Sequence, residues 1–154
     1  MSTRHNDPVD FSSIKRDSKN IAFQATQLTV DFSVVPAKFE NEFPNKTVVF
    51  TDAQVFETPS LVVFSAVYAP AGASYWEFLI STPKLVGSYN LETEDTRAQV
   101  QLRHGGSDMH PFANGTVRLQ AYAPGTDYEV DLTNVGQQDV RGFQVSHAWT
   151  SSVT

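Results

Sequence analysis

The chain contains no cysteine. Disulfides, thiolate metal sites and cysteine nucleophiles are therefore excluded, and stability must come from packing and backbone hydrogen bonding. Charge is sparse: Asp, Glu, Lys and Arg make up 18% of 154 residues, with 17 acidic against 11 basic side chains and a formal net charge of −6. This shortage of positive charge argues against a nucleic-acid partner, because such binding rests on Lys and Arg neutralising phosphates. Long apolar runs are missing as well. No apolar core follows the early charges of residues 1–20, so neither a secretory leader nor a membrane anchor is expected there. The default expectation is a cytoplasmic protein with no integral membrane segment, or a secreted one if a leader has been removed. A Gly-x-Ser-x-Gly elbow and a His-Glu-x-x-His helix are lacking, and the Gly105–Gly106 pair is not followed by the lysine of a phosphate-cradling loop.

What is present is enough to build one core. Hydrophobic residues are 40% and aromatics 12% of a length that suits a single domain. Residues 1–19 have no apolar period and are expected to form a flexible N-terminal arm, leaving 20–154 as a single β domain. From Ile21 onward the apolar residues recur at every second position. Ile21, Phe23 and Ala25 are followed, after a slip at Thr26–Gln27 that suggests a bulge, by Leu28, Val30, Phe32 and Val34. Pro36 and Pro44 bracket a short helical turn near 37–43, where Phe39 and Phe43 would share a face. Runs 47–56, 60–68 and 75–81 are rich in Val, Phe, Leu and Tyr and are expected to be the central strands. Shorter alternating pieces follow at 88–91, 98–103, 116–122, 128–133 and 142–149. About nine strands without helix-length crossovers predict an all-β, antiparallel β-sandwich, with a closed β-barrel as the alternative.

Two segments reuse one turn. Tyr68-Ala69-Pro70 and Tyr122-Ala123-Pro124 each lead through a glycine to a returning tyrosine, Tyr75 and Tyr128. Proline presets φ and glycine supplies positive φ, so two similar hairpins with Tyr opposite Tyr are expected.

Three places could carry chemistry. His104, Asp108 and His110 bring two imidazoles and a carboxylate together around a glycine pair, a donor set suited to zinc, against the plainer reading of a hairpin loop. Asp127, Glu129 and Asp131 alternate with Tyr128, Val130 and Leu132, and Glu92, Glu94 and Asp95 cluster between strands. Either acidic group could hold calcium, the first could also supply an acid–base pair for glycoside cleavage, and either could simply be a solvated surface. Tyr75 and Trp76 are neighbours on a strand and must face opposite ways, so one ring could form an exposed aromatic platform for a sugar or a protein, against the slightly favoured reading that sheet packing or a neighbouring loop covers both. Asn45-Lys46-Thr47 and Asn114-Gly115-Thr116 match the glycosylation acceptor pattern and read as turns.

No reactive set converges, so the leading expectation is a non-catalytic binding or assembly module that needs no cofactor. Its partner would be a protein, a carbohydrate or a further copy of the chain joined through sheet edges. The competing expectations are a small metal-assisted hydrolase built on the 104–110 segment with zinc or calcium, and a secreted toxin-like β protein acting on membranes or host targets.

Overall fold

The structure, a computed structural model, describes residues 21–22, 28–31, 47–68, 76–92, 98–104, 108–137, 144–145 and 150–152, with side-chain surroundings for 48–68, 76–92, 98–104 and 110–136. The expected arm at 1–19, the slip at Thr26–Gln27, the helical turn near 37–43, and the residues Tyr75, His147 and Trp149 lie outside the described residues.

Every described element is a strand, and every pairing is antiparallel. The strands are β1 (Ile21–Ala22), β2 (Leu28–Asp31), β3 (Thr47–Glu57), β4 (Leu61–Tyr68), β5 (Trp76–Pro83), β6 (Gly87–Asn90), β7 (Gln99–His104), β8 (Asp108–Ala123), β9 (Asp127–Gln137), β10 (Gln144–Val145) and β11 (Thr150–Ser152). They form one open sheet in the order β1-β3-β4-β5-β7-β8-β9-β10, with β2 beside β3, β6 beside β8 and β11 beside β9. Strands β3 to β9 carry nearly all the described side chains.

Local sequence explains the two clearest reversals. Thr58 closes the β3–β4 turn: its N–H donates to Leu61 O at 2.9 Å, and its hydroxyl oxygen accepts from Leu61 N at 2.9 Å. Gly125 turns β8 into β9 at φ +80°, where Thr126 N donates to Ala123 O at 2.9 Å and Tyr122 pairs with Tyr128 as expected. In the earlier Tyr-Ala-Pro segment the register differs by one residue. Tyr68 pairs with Trp76, not Tyr75, so this connection is longer than its counterpart.

Strand β8 exceeds its expected 116–122 span because Pro111 and Gly115 do not stop it. Its first residues, Asp108–Pro111, pair with β7, whereas residues from Phe112 onward pair with β9, and Thr116–Leu119 also pair with β6. Three register shifts interrupt the β8–β9 ladder. Such bulges increase twist and bend a strand. The bending is large enough to bring distant strands together. Four strand intervals separate β4 from β9, which in a flat sheet would span about 19 Å. The rings of Phe64 on β4 and Tyr128 on β9 nevertheless lie 6.3 Å apart. The sheet therefore curls over its own core, in which Phe50, Phe64, Phe78 and Ile80 meet Val117, Leu119, Val130 and Leu132.

Alternation holds on β9, where Tyr128, Val130 and Leu132 are buried between half-exposed acids, and on β7 for Val100 and Leu102. It fails on β4 and β5, which are buried on both faces. Their runs LVVFSAVY and WEFLISTP lack the polar every-second residue that a wet face requires.

Candidate functional site

Burial gives the charged residues of β5 and β7 a strong need for partners. Glu77 is 2% exposed and sits opposite Arg103, which is 5% exposed. Arg103 Nε donates to Glu77 Oε1 at 3.1 Å and its Nη2 donates to the same oxygen, while Ser65 Oγ donates to Oε2 at 2.5 Å. A charge so deep is tolerated only when paired and hydrogen-bonded. The trio ties three adjacent strands into one register. A single acid inside the apolar run Trp76–Ile80 was the signal that could have revealed it.

A second cluster closes one end of the core. Tyr122 OH and Tyr128 OH each donate to a different Glu57 oxygen at 2.7 Å, Lys84 Nζ lies 3.2 Å from Oε1, and Gly125 N donates to the Tyr128 hydroxyl at 2.6 Å. Burial pushes the Glu57 carboxyl up, but the two tyrosines and Lys84 outweigh it and hold the group below its ordinary value. Burial first, and then the bond to Glu57, pushes the Tyr122 hydroxyl up to about 12. Tyr128 is likewise pushed up to about 12, mainly by burial. Every group here is satisfied from within the protein, which suits a clamp between β3 and the β8–β9 hairpin.

The sequence candidates fall as follows. Trp76 is fully buried and stacks on His104 with ring centroids 4.1 Å apart and planes at 13°. The Trp76 ring thus packs inside, and Phe78 and Ile80 on the same face continue into the core, while Tyr75, the other half of the expected platform, lies outside the described residues. His110 is also buried, its ring centroid 6.1 Å from that of Trp76. His104 pairs with Asp108, and Leu102 with His110, so these residues stand in strands on either side of the 105–107 connection. Among the described residues, no three His, Asp or Glu side chains are grouped as metal ligands. On β9, Asp127, Glu129 and Asp131 share the half-exposed face, and Asp131 pairs with Arg118.

An open concavity arises from a backbone irregularity. Thr116 pairs with Thr133 and Asn114 with Gly136, so Gly115 alone faces both Asn134 and Val135. Asn134 takes up the extra length at φ +53°, a conformation asparagine tolerates. Gly115 adopts φ +108°, and a Cβ there would lie 2.6 Å from Asn134 O. Asn114-Gly115-Thr116 is therefore a strand bulge and not a turn. Beside it, Leu91 N donates to Gly115 O at 2.9 Å, and Glu92 N donates to Asn90 Oδ1 at 2.8 Å, which folds the end of β6 over the bulge. The result is a groove of about 420 Å³ lined by Asn90, Glu92, Asn114, Gly115, Thr116, Thr133 and Asn134. Its walls are carboxamides, hydroxyls and one carboxylate, with no cationic and no aromatic side chain. Of these residues, Glu92 stood out in the sequence as one of an acidic cluster and Asn114-Gly115-Thr116 as a glycosylation acceptor pattern, neither of which pointed to a groove.

Neither a family model, nor a curated protein, nor a solved structure matches this chain.

Proposed function

We propose that the chain is a non-catalytic binding module, a β-sandwich whose recognition surface is the groove over the Gly115–Asn134 bulge, and that its ligand is a neutral, hydroxyl-rich carbohydrate. The observation that carries this reading is the chemistry of the lining. Three asparagines, two threonines and Glu92 offer donors and acceptors side by side, which is what a vicinal diol requires because each hydroxyl both donates and accepts. An anionic ligand would call for Lys or Arg, and an apolar one for a hydrophobic wall; the lining has neither. The volume of about 420 Å³ falls within the range of small-molecule sites, about 300–1,000 Å³. Positioning also favours recognition over chance, since bulges re-aim side chains and here set three strands around one concavity.

The sandwich description rests on the curl that brings Phe64 against Tyr128 and Glu57 against both tyrosines. The reading is tested by screening a panel of neutral oligosaccharides and measuring hits by calorimetry. Binding that weakens at least about tenfold in both Asn134→Ala and Glu92→Gln supports it. Binding only to acidic glycans, or binding indifferent to both substitutions, refutes it.

A further inference from the structure

We infer that the ligand of the groove is at least a disaccharide, and that Arg118 and Asp131 on the neighbouring row of the sheet form the subsite for its second unit. This rests on the carbohydrate reading of the groove and extends it. Three groove residues form one row across the sheet: Asn90 pairs with Thr116, and Thr116 with Thr133. Paired residues, and residues two apart on one strand, share a face of a pleated sheet. The next row on that face is therefore Ser88, Arg118 and Asp131, in which Ser88 pairs with Arg118 and Arg118 with Asp131. No register shift falls between Thr116 and Leu119, so the two rows run side by side about 7 Å apart. Val117, Leu119, Val130 and Leu132 on the other face are buried, whereas Ser88, Asn90, Arg118 and Thr133 are exposed. Both rows thus open to solvent, and a chain that leaves the groove along the strands meets Arg118 next.

The decisive group is the Arg118 guanidinium. Side-chain surroundings are described for three cationic residues, and two of them are engaged, Lys84 with Glu57 and Arg103 with Glu77. Arg118 makes no hydrogen bond or ion pair among the described residues, although Asp131 stands opposite it. A guanidinium only donates and a carboxylate only accepts, whereas a hydroxyl does both. A vicinal diol seated on this row can accept from Arg118 with one oxygen and donate to Asp131 from the other. An anionic unit could use Arg118 as well, but it would be repelled by Asp131 beside it, by Glu129 two residues further along the same face, and by Glu92 in the groove. The row therefore selects the same neutral ligand as the groove does. Because Arg118 does not line the groove, the first unit binds without it.

The experiment is calorimetry of the whole chain against glucose, mannose, galactose and N-acetylglucosamine, each as the monosaccharide and as its α- and β-linked disaccharides, with amide shifts reporting affinity where the heat is too small. At least one disaccharide should bind about tenfold or more tightly than its monosaccharide. Arg118→Ala should bring that disaccharide to within about threefold of the monosaccharide and leave the affinity of the monosaccharide unchanged. Asn134→Ala, inside the groove, should weaken both. A disaccharide that binds no more tightly than its monosaccharide, or one whose advantage survives Arg118→Ala, overturns the second subsite and leaves the groove reading standing. An equal loss of both sugars in Arg118→Ala also overturns it, because Arg118 would then act on the groove itself. Absence of binding by every sugar at millimolar concentration overturns the inference and the groove reading together.

Discussion

Replacing Arg103 by Met strips the Glu77 carboxylate of its guanidinium while leaving it where solvent does not reach. Glu77 is 2% exposed, and Arg103 contributes two of the three hydrogen bonds it accepts, the third coming from Ser65. Breaking a buried pair from one side costs about 3–5 kcal/mol, because the remaining charge is uncompensated. A domain of this kind has about 5–15 kcal/mol in all, so the variant should be marginally folded. The reverse half of the cycle is as informative. Glu77→Leu combined with Arg103→Met, with Ser65→Ala to remove the stranded hydroxyl, leaves no charge behind and should lie within about 2 kcal/mol of the original. Urea unfolding followed by circular dichroism measures each variant, and an unchanged denaturant slope ensures that stability alone has moved. A loss below about 1 kcal/mol in Arg103→Met, the range of exposed ion pairs, would refute the reasoning by showing that water reaches Glu77.

Gly115→Ala should destabilise by about 2 kcal/mol or more, since its Cβ would meet Asn134 O at 2.6 Å on a backbone at φ +108°; a melting temperature equal to that of the unaltered chain would remove the bulge from the account. Asn134→Gly should be neutral or slightly stabilising, whereas Asn134→Val should cost about 1–2 kcal/mol, because φ +53° suits glycine and penalises a branched side chain. The tyrosine clamp sets an alkaline limit. Tyr122 and Tyr128 ionise near 12 in the fold against 10.0 in the free side chain, so above pH 10 the unfolded chain releases protons first and stability falls as pH rises toward 12. The double variant Tyr122→Phe/Tyr128→Phe should flatten that decline, and an equal slope in both proteins would contradict the assignment. At the acid end, Glu57 is held below 4.5, so its contribution is complete above that pH and is lost as pH falls through the lowered value; Glu57→Gln should remove that portion of the acid dependence.

Much of the fold was legible because it obeys a period of two. Val100 and Leu102 on β7 and Tyr128, Val130 and Leu132 on β9 are buried in alternation, and the Tyr122–Tyr128 pairing follows from the short proline-glycine turn between them. The pattern stops informing where both faces are buried. In WEFLISTP nothing in the spacing says that Glu77 lies inside, and its partner Arg103 is 26 residues away on a strand that only the register brings beside it. The groove was hidden because it depends on a one-residue mismatch between β8 and β9, and Asn114-Gly115-Thr116 reads locally as a turn. The three strands that form its walls are separate in sequence, and uncharged asparagines and threonines carry no signal until they converge.

Chemical-shift mapping of the backbone amides during titration with neutral oligosaccharides tests the central claim most directly, since it reports whether a ligand binds and where. The account predicts saturable shifts centred on Asn90, Glu92, Asn114–Thr116 and Thr133–Asn134. Shifts centred elsewhere on the sheet, or none with neutral sugars at millimolar concentration, would contradict it.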